Sequence, residues 1–383
     1  MKSVYLNKNC YGCGVCAISC PTKAIQIKLN TEGFYQPSII SSQCVDCGVC
    51  VSVCSFLQTG IIQSPVSMHS YASWSLNSNV RRRSSSGGVT YEIMSFLITR
   101  GYKICAVRYN IKDHKVEHYI AESLGQLDDS FGSKYIQSYT VDGLLDIDFN
   151  QKYLVIGTPC MIDSFKRLVL RKGAQNNFIF IDFFCHGIPS YFLWQKYIQN
   201  RIKECGDIFS VSFRYKENGW NDSYKLLLKG KRGEYIKGLD QGDIFYKLFL
   251  GDYCLGKHCY HNCKFKMDKS SADIRVGDLW GQTYKKHDDG VSAVLALTQL
   301  GNDVLRQIPY IHLQEEPFGI VTEGQMRMPP REPKIRTCIL KALRNINGDF
   351  RKERMLMFCD GLYNKIRKIL THPKEVFKNR FIK

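Results

Sequence analysis

No apolar run in this chain is long enough to cross a bilayer. The strongest candidate, residues 178–184, is interrupted by Asp182 and reads as a buried strand. No apolar stretch precedes the first cysteine, so a secretory leader is not expected. A complete set of internal disulfides is excluded, because the 17 cysteines are an odd number. So many thiols without an export signal point to metal ligands in a reducing cytoplasm. Acidic residues are few, 35 Asp and Glu against 53 Lys and Arg, which gives a formal net charge of +18. That figure treats every cysteine as neutral. Thiolates bound to metal would lower it. The surplus favours acidic partners or phosphate-bearing ligands. No recognition-helix or RNA-binding signature accompanies it, so nucleic acid is not expected as a partner.

What the chain does have is a cysteine duplication near its start. Cys10, Cys13, Cys16 and Cys20, followed by Pro21, have the spacing C-x2-C-x2-C-x3-C-P. Cys44, Cys47, Cys50 and Cys54 repeat it, each 34 residues after its counterpart, and Gly14-Val15 returns as Gly48-Val49. Three close thiolates wrap one face of a cubane, and the fourth cysteine of each run reaches the other cluster. This assigns Cys10, Cys13, Cys16 and Cys54 to one [4Fe–4S] cluster and Cys44, Cys47, Cys50 and Cys20 to a second. Gly12, Gly14 and Gly48 let the backbone bend around sulfur. Pro21 is expected to break the short helix that carries Cys20. Zinc sites usually present separated C-x2-C pairs instead of four-cysteine runs.

With 383 residues the chain is too long for one small core. We expect a ferredoxin-like domain over residues 1–60, a Ser-, Gln- and Asn-rich linker over 61–83, a larger domain over 84–300 and a basic, mostly helical region over 301–383. Residues 88–100 read as a helix and 102–109 as a strand. The apolar runs 153–156 and 178–184 read as strands, each followed by a loop and then a helix, over 161–172 and 191–204. That alternation predicts neighbouring parallel strands in a mixed α/β fold. Further strands are expected over 211–215, 224–228 and 291–297.

Three loops stand out. Ser84, Ser85, Ser86, Gly87 and Gly88 precede a helix, where small residues and free amides make either a phosphate cradle or a simple cap. Gly157-Thr158-Pro159-Cys160 and Cys185-His186-Gly187-Ile188-Pro189 each join a strand to a helix. If the strands are parallel neighbours, both cysteines emerge on one sheet edge, where ligand sites collect. Cys254, Cys259 and Cys263, with His258 and His261, fit a zinc site or the completion of an iron–sulfur site with Cys160 and Cys185. Spacing alone does not choose. Cys105, Cys205, Cys338 and Cys359 read as ordinary thiols. Arg81, Arg82 and Arg83 fit a pyrophosphate, an acidic donor protein or solvent equally well. In the tail, Leu362, Tyr363, Ile366, Ile369 and Leu370 form an apolar helix face among Lys365, Arg367 and Lys368, which suits packing on the body or contact with a membrane surface.

Seven stretches, taken together, resemble a known family: SSSGGVT from Ser84, GSKYIQS from Gly132, GTPC from Gly157, FFCHGIPS from Phe183, FRYKENGW from Phe213, CKFK from Cys263 and ADIRVGDLWG from Ala272. The set is similar to the family of coenzyme F420 hydrogenase/dehydrogenase beta subunits, in the form with a fused N-terminal ferredoxin domain. The resemblance spans about residues 1–285. It implies an iron–sulfur flavoprotein oxidoreductase whose larger α/β domain binds FAD. Ser84, Ser85, Ser86, Gly87, Gly88, Gly132, Ser133, Lys134, Tyr135 and Gln137 become flavin contacts, with Lys134 as a cation near a reduced flavin. The resemblance also implies a third cluster on Cys160, Cys185, Cys259 and Cys263. This chain has C-x3-C at Cys259 and Cys263 where the family has C-x2-C, so Cys254 or His261 is an alternative ligand there.

The expected activity is an electron relay. A ferredoxin-type donor feeds the clusters, and the flavin collects two electrons and passes a hydride to a small-molecule substrate. Direction and substrate are open; deazaflavin F420 and a polysaccharide-pathway intermediate are the family-level candidates. The competing reading is an electron-transfer subunit with no substrate of its own.

Overall fold

The computed structural model describes residues 10–61, 68–217, 219–220 and 224–371. The expected tail beyond 371 and residues 62–67 of the expected linker lie outside the described residues.

The cysteine duplication is repeated in the backbone. Gly14 and Gly48 both take φ 72°, and each caps a one-turn helix, Val15–Ile18 and Val49–Ser52. Gly12 and Asp46, also 34 residues apart, both take positive φ, 70° and 54°. A left-handed residue lets the chain turn back over the sulfurs, and glycine does so without a Cβ penalty. The helix Val15–Ile18 ends before Cys20, so it carries Cys16, and Pro21 does not end it. An antiparallel hairpin, Ile25–Leu29 with Tyr35–Ile39, joins the two cysteine runs.

The rest is built on a nine-stranded mixed sheet. From one edge its order is Ile311–Glu315, His69–Ser75, Ser292–Ala296, Ile274–Asp278, Phe178–Phe183, Tyr153–Ile156, Lys103–Asn110, Lys115–Ala121 and Ser138–Tyr139. Four consecutive strands, Lys103–Asn110, Tyr153–Ile156, Phe178–Phe183 and Ile274–Asp278, run parallel. The apolar runs of the inner two are buried almost throughout, as strands covered on both faces must be. The helices Pro159–Arg171 and Tyr191–Cys205 follow them, close to the expected spans.

Two boundaries differ from expectation. The linker region contains the strand His69–Ser75, which pairs with Ser292–Ala296 on one side and Ile311–Glu315 on the other. The helix Ser78–Arg83 follows it, capped by the Asn77 side chain. The sheet domain also runs past residue 300, because Ile311–Glu315 is its edge strand. The expected strand over 211–215 lies earlier, at Ile208–Ser212, in a separate three-stranded sheet. From Arg336 on, the described residues form two helices, Arg336–Leu343 and Arg351–Thr371. Among the described residues no helix is long and apolar enough to cross a membrane.

The cysteine-rich domain is packed onto this body rather than tethered to it. Val15 and Val53 join the core of Phe165, Leu168 and Phe180. Thr140 donates to the Cys13 carbonyl at 2.8 Å, and the Ser55 amide donates to Ser164 Oγ at 3.0 Å. Ser190 donates to the Glu32 carbonyl at 2.6 Å, and the buried Arg336 pairs with the Glu32 carboxylate at 3.1 Å.

Candidate functional site

The parallel strands bring their carboxyl ends to one edge, and the chemistry collects there. The loops after Tyr153–Ile156 and Phe178–Phe183 deliver Cys160 and Cys185 together. The short helix Lys257–His261 brings Cys259, and Cys263 follows it. These four thiols are mutual electrostatic neighbours. Burial pushes Cys160, Cys185 and Cys259 upward, with neighbouring thiols adding to it, and the Cys185 thiol rises to about 11. Buried thiols in that state keep their protons unless a cationic core replaces them, as iron does. The four therefore fit an iron–sulfur group. Among the described residues no three of His, Cys, Asp and Glu converge closely enough to share one metal ion.

The extra residue of the C-x3-C spacing has a place. Asn262 caps the helix Lys257–His261, and its carbonyl accepts a 2.7 Å hydrogen bond from Tyr11. The two alternative ligands point elsewhere. Cys254 shares a core with Cys259, but its thiol donates to the Leu248 carbonyl at 3.6 Å. His261 pairs with Glu332. His258 is buried edge-on against Tyr11, and burial lowers it to about 3.

Cys10, Cys13, Cys16 and Cys54 surround a small cavity of their own with Val53 and Ser164. In the other group Cys47 is exposed, Cys20 and Cys44 are half-buried and Cys50 is buried. Tyr11, buried beside Cys10, has Cys160, Cys259, Cys263 and Cys54 as electrostatic neighbours. Three groups of cysteines thus run from the surface to the sheet edge, with Tyr11 between the second and third.

A cavity of about 460 Å³ continues the line. Cys13, Tyr11 and Cys185 border it on one side, and Ser84, Ser85, Ser86 and Gly88 border it elsewhere. Gly132, Ser133, Lys134, Tyr135 and Gln137 also line it, so the two stretches nominated from sequence share one space. Ser85 and Ser133 meet directly, the Ser133 amide donating to Ser85 Oγ at 2.7 Å. Gly87 is required by close approach: a Cβ there would lie 2.5 Å from the Ser73 carbonyl oxygen and 2.8 Å from the Ser292 amide.

Three nominated residues do work other than that expected. Lys134 Nζ donates to the carbonyls of Ser130 at 2.7 Å, Phe131 at 3.0 Å and Asp129 at 3.3 Å, closing the turn before it. Gln137 donates to the Tyr11 and Gly12 carbonyls and accepts from the Tyr35 amide, so it ties the cysteine-rich domain to the sheet. Ser86 spends its hydroxyl on the Val291 carbonyl at 2.7 Å. Of the arginine run, Arg81 donates to Gly290 at 2.8 Å and Arg83 lies 3.9 Å from the Phe131 ring centre.

Sequence reasoning did not single out the polar set on the opposite wall. Buried Arg214 donates to Asp278 at 2.9 Å and to the Tyr135 hydroxyl at 3.1 Å. Asp278 also accepts from Trp220 Nε1 at 2.9 Å, and Trp280 stacks on Trp220 and Tyr224. Asp278, Tyr224 and Trp280 line the cavity. The signal was present: Arg214, Trp220, Asp278 and Trp280 all sit in two of the resembling stretches.

Residues 150–316 match the family described as the C terminus of the coenzyme F420 hydrogenase/dehydrogenase beta subunit, and residues 9–56 match the 4Fe-4S dicluster domain. Residues 150–316 thus carry that family's C-terminal region, behind an N-terminal 4Fe-4S dicluster domain. The dicluster match covers all eight cysteines of the two runs and supports two [4Fe–4S] clusters in this chain. One component of the F(420)H(2) dehydrogenase of Methanosarcina mazei is 23% identical over 302 residues, 76% of this chain and 80% of that protein. Among solved structures, a chain of the xenon-derivatised F420-reducing [NiFe] hydrogenase complex from Methanosarcina barkeri aligns with a TM-score of 0.48 and 14% identity. That alignment covers 77% of this chain and 94% of the other.

Proposed function

We propose that this oxidoreductase-family chain relays electrons between a ferredoxin-type partner and a small-molecule substrate through three [4Fe–4S] clusters and FAD. The observation that carries the proposal is the continuous line of cysteine groups ending at the 460 Å³ cavity. The surface group of Cys44, Cys47, Cys50 and Cys20 receives the partner. Cys10, Cys13, Cys16 and Cys54 hold the middle cluster, and Cys160, Cys185, Cys259 and Cys263 hold the inner one. FAD, when bound, supplies the exchange between single electrons and a hydride. The residues around the cavity bind and orient it. Ser84, Ser85 and the amides at the start of the helix Val89–Ile98 receive the pyrophosphate. Asp278, held by Arg214 and Trp220, presents a fixed carboxylate toward the opposite wall. F420 is the first substrate to test, since the Methanosarcina mazei relative belongs to a dehydrogenase of reduced F420.

Lys134 lines the cavity, and Lys216 donates to the carbonyl of Ser86, which also lines it. Burial lowers each to about 7, and among the described residues each ammonium meets only carbonyl oxygens at hydrogen-bond range. A lysine lowered in the folded state binds fewer protons there than in the unfolded chain, so stability rises as pH climbs above 7. Bound pyrophosphate restores the charge and removes that slope. Flavin-stripped protein is therefore expected to gain melting temperature from pH 7 to 8, and flavin-loaded protein to gain less. Equal slopes in the two would mean that the occupant does not meet these lysines.

The function itself is tested with the isolated holoprotein. Reduced viologen should drive reduction of F420, or the reverse reaction should pass electrons from reduced F420 into the viologen pool. Electron uptake with no turnover of F420 or of other hydride acceptors, but stable association with a catalytic partner, would favour the electron-transfer subunit instead.

The helix Arg351–Thr371 exposes Met355, Phe358, Leu362, Tyr363 and Ile366. Contact of this face with a membrane surface is a second element of the proposal. Deleting the chain after Met357 should then reduce co-sedimentation with anionic vesicles.

A further inference from the structure

We propose that Lys266 places a fixed positive charge between the Cys185 group and the cavity, and that this charge makes the cofactor in the cavity easier to reduce. The inference rests on the cluster-and-flavin reading above. Lys266 is buried and lines the cavity. Its Nζ donates to the Cys185 carbonyl at 2.7 Å and the His186 carbonyl at 3.2 Å, with Met326 Sδ at 4.0 Å. The side chain therefore touches the backbone of one proposed cluster ligand while it faces the cofactor space.

Four other buried cations are matched by a carboxylate. Lys196 pairs with Glu353, Arg214 with Asp278, Arg275 with Asp182 and Arg336 with Glu32. No carboxylate lies within ion-pair distance of Lys266 among the described residues. An uncompensated buried ammonium is costly, and carbonyl dipoles offset only part of the cost. Two anions complete the balance in the loaded protein. A thiolate-ligated cubane carries a net charge of about −2, and a flavin gains negative charge as it accepts electrons.

The position of the ammonium is also fixed. Arg275 donates to the carbonyls of Phe265 and Met267, the neighbours of Lys266 on either side. Lys266 thus fills the role that sequence reasoning gave to Lys134, whose ammonium is held by the loop of residues 129–131. In a low-dielectric site, a fixed charge near the reacting group favours the state in which negative charge develops.

The test uses anaerobically loaded holoprotein and the variants K266Q and K266R. Iron and flavin are counted first, then the two-electron midpoint potential of the flavin is titrated spectroelectrochemically. K266Q retains an amide donor for the Cys185 carbonyl but no charge. It is expected to keep its cofactors and be about tenfold harder to reduce, about 30 mV more negative. K266R should stay within about twofold of the parent protein. Loss of flavin or iron from K266Q alone also supports a charge requirement. A fully loaded K266Q with unchanged potential overturns the proposal, as does an equal shift or an equal loss of cofactor in both variants. Parent protein that binds no flavin fails the underlying reading instead, and does so before any variant is compared.

Discussion

Replacing Cys185 with alanine is expected to lower the iron content from about twelve to about eight atoms per chain, one cubane's worth. Electrons from reduced viologen should then reach the two outer clusters and stop there, slowing flavin reduction by at least about a hundredfold. The size of the effect follows from the layout. Cys185 borders the cavity, and Tyr11 connects its group of thiols to the middle one. Cys254→Ala is the matched control. Cys254 is buried and only five residues from Cys259, yet its thiol faces the Leu248 carbonyl. It should keep all twelve irons. Loss of iron from Cys254→Ala, with none from Cys185→Ala, would move the inner cluster to a different ligand set.

The second large effect is on stability. Asp182→Asn should destabilise the fold by about 3–5 kcal/mol, because it leaves the Arg275 guanidinium buried and uncompensated. Arg275 meets Asp182 through two hydrogen bonds of 2.7 and 2.6 Å, and both side chains are fully buried. Asp182 also accepts from Ser270 at 2.6 Å. Because Arg275 also holds the carbonyls of Phe265 and Met267, the strain reaches the segment that carries Cys263 and Lys266. Chemical denaturation of the Asp182→Asn holoprotein measures the cost, and iron retention reports on the inner site. A loss below about 1 kcal/mol would mean that water or a rearranged neighbour compensates Arg275.

The ferredoxin-like domain was legible because its chemistry is local. The 34-residue repeat contains both the ligands and the glycines that turn the chain around them, and Gly14 and Gly48 adopt the same left-handed φ. The units around Tyr153–Ile156 and Phe178–Phe183 were legible for a similar reason: each is a short apolar run followed by a helix with an apolar face. Strand His69–Ser75 was not. Its sequence mixes serines with Tyr71 and Trp74, and its pairing partners lie more than 200 residues away. Nothing local marks it as sheet, and its polar composition imitates a linker.

The candidate site shows the same division. The loops carrying Ser84 to Gly88 and Gly132 to Gln137 were identified as stretches, but the direction of each side chain was not. Lys134 turns back on its own loop, and Gln137 reaches across to the other domain. Asp182 drew attention only as an interruption in an apolar run. Its partner Arg275 is 93 residues away, so the pair becomes visible only when the parallel strands are laid side by side.

The most direct test of the account is the iron, sulfide and flavin content of protein purified without oxygen. About twelve irons, matching sulfide and one flavin per chain is the predicted result, since each cubane holds four irons. About eight irons and no flavin, even after reconstitution with both, would contradict it: the chain would then carry its dicluster domain alone, and the inner cysteines and the cavity would need another explanation.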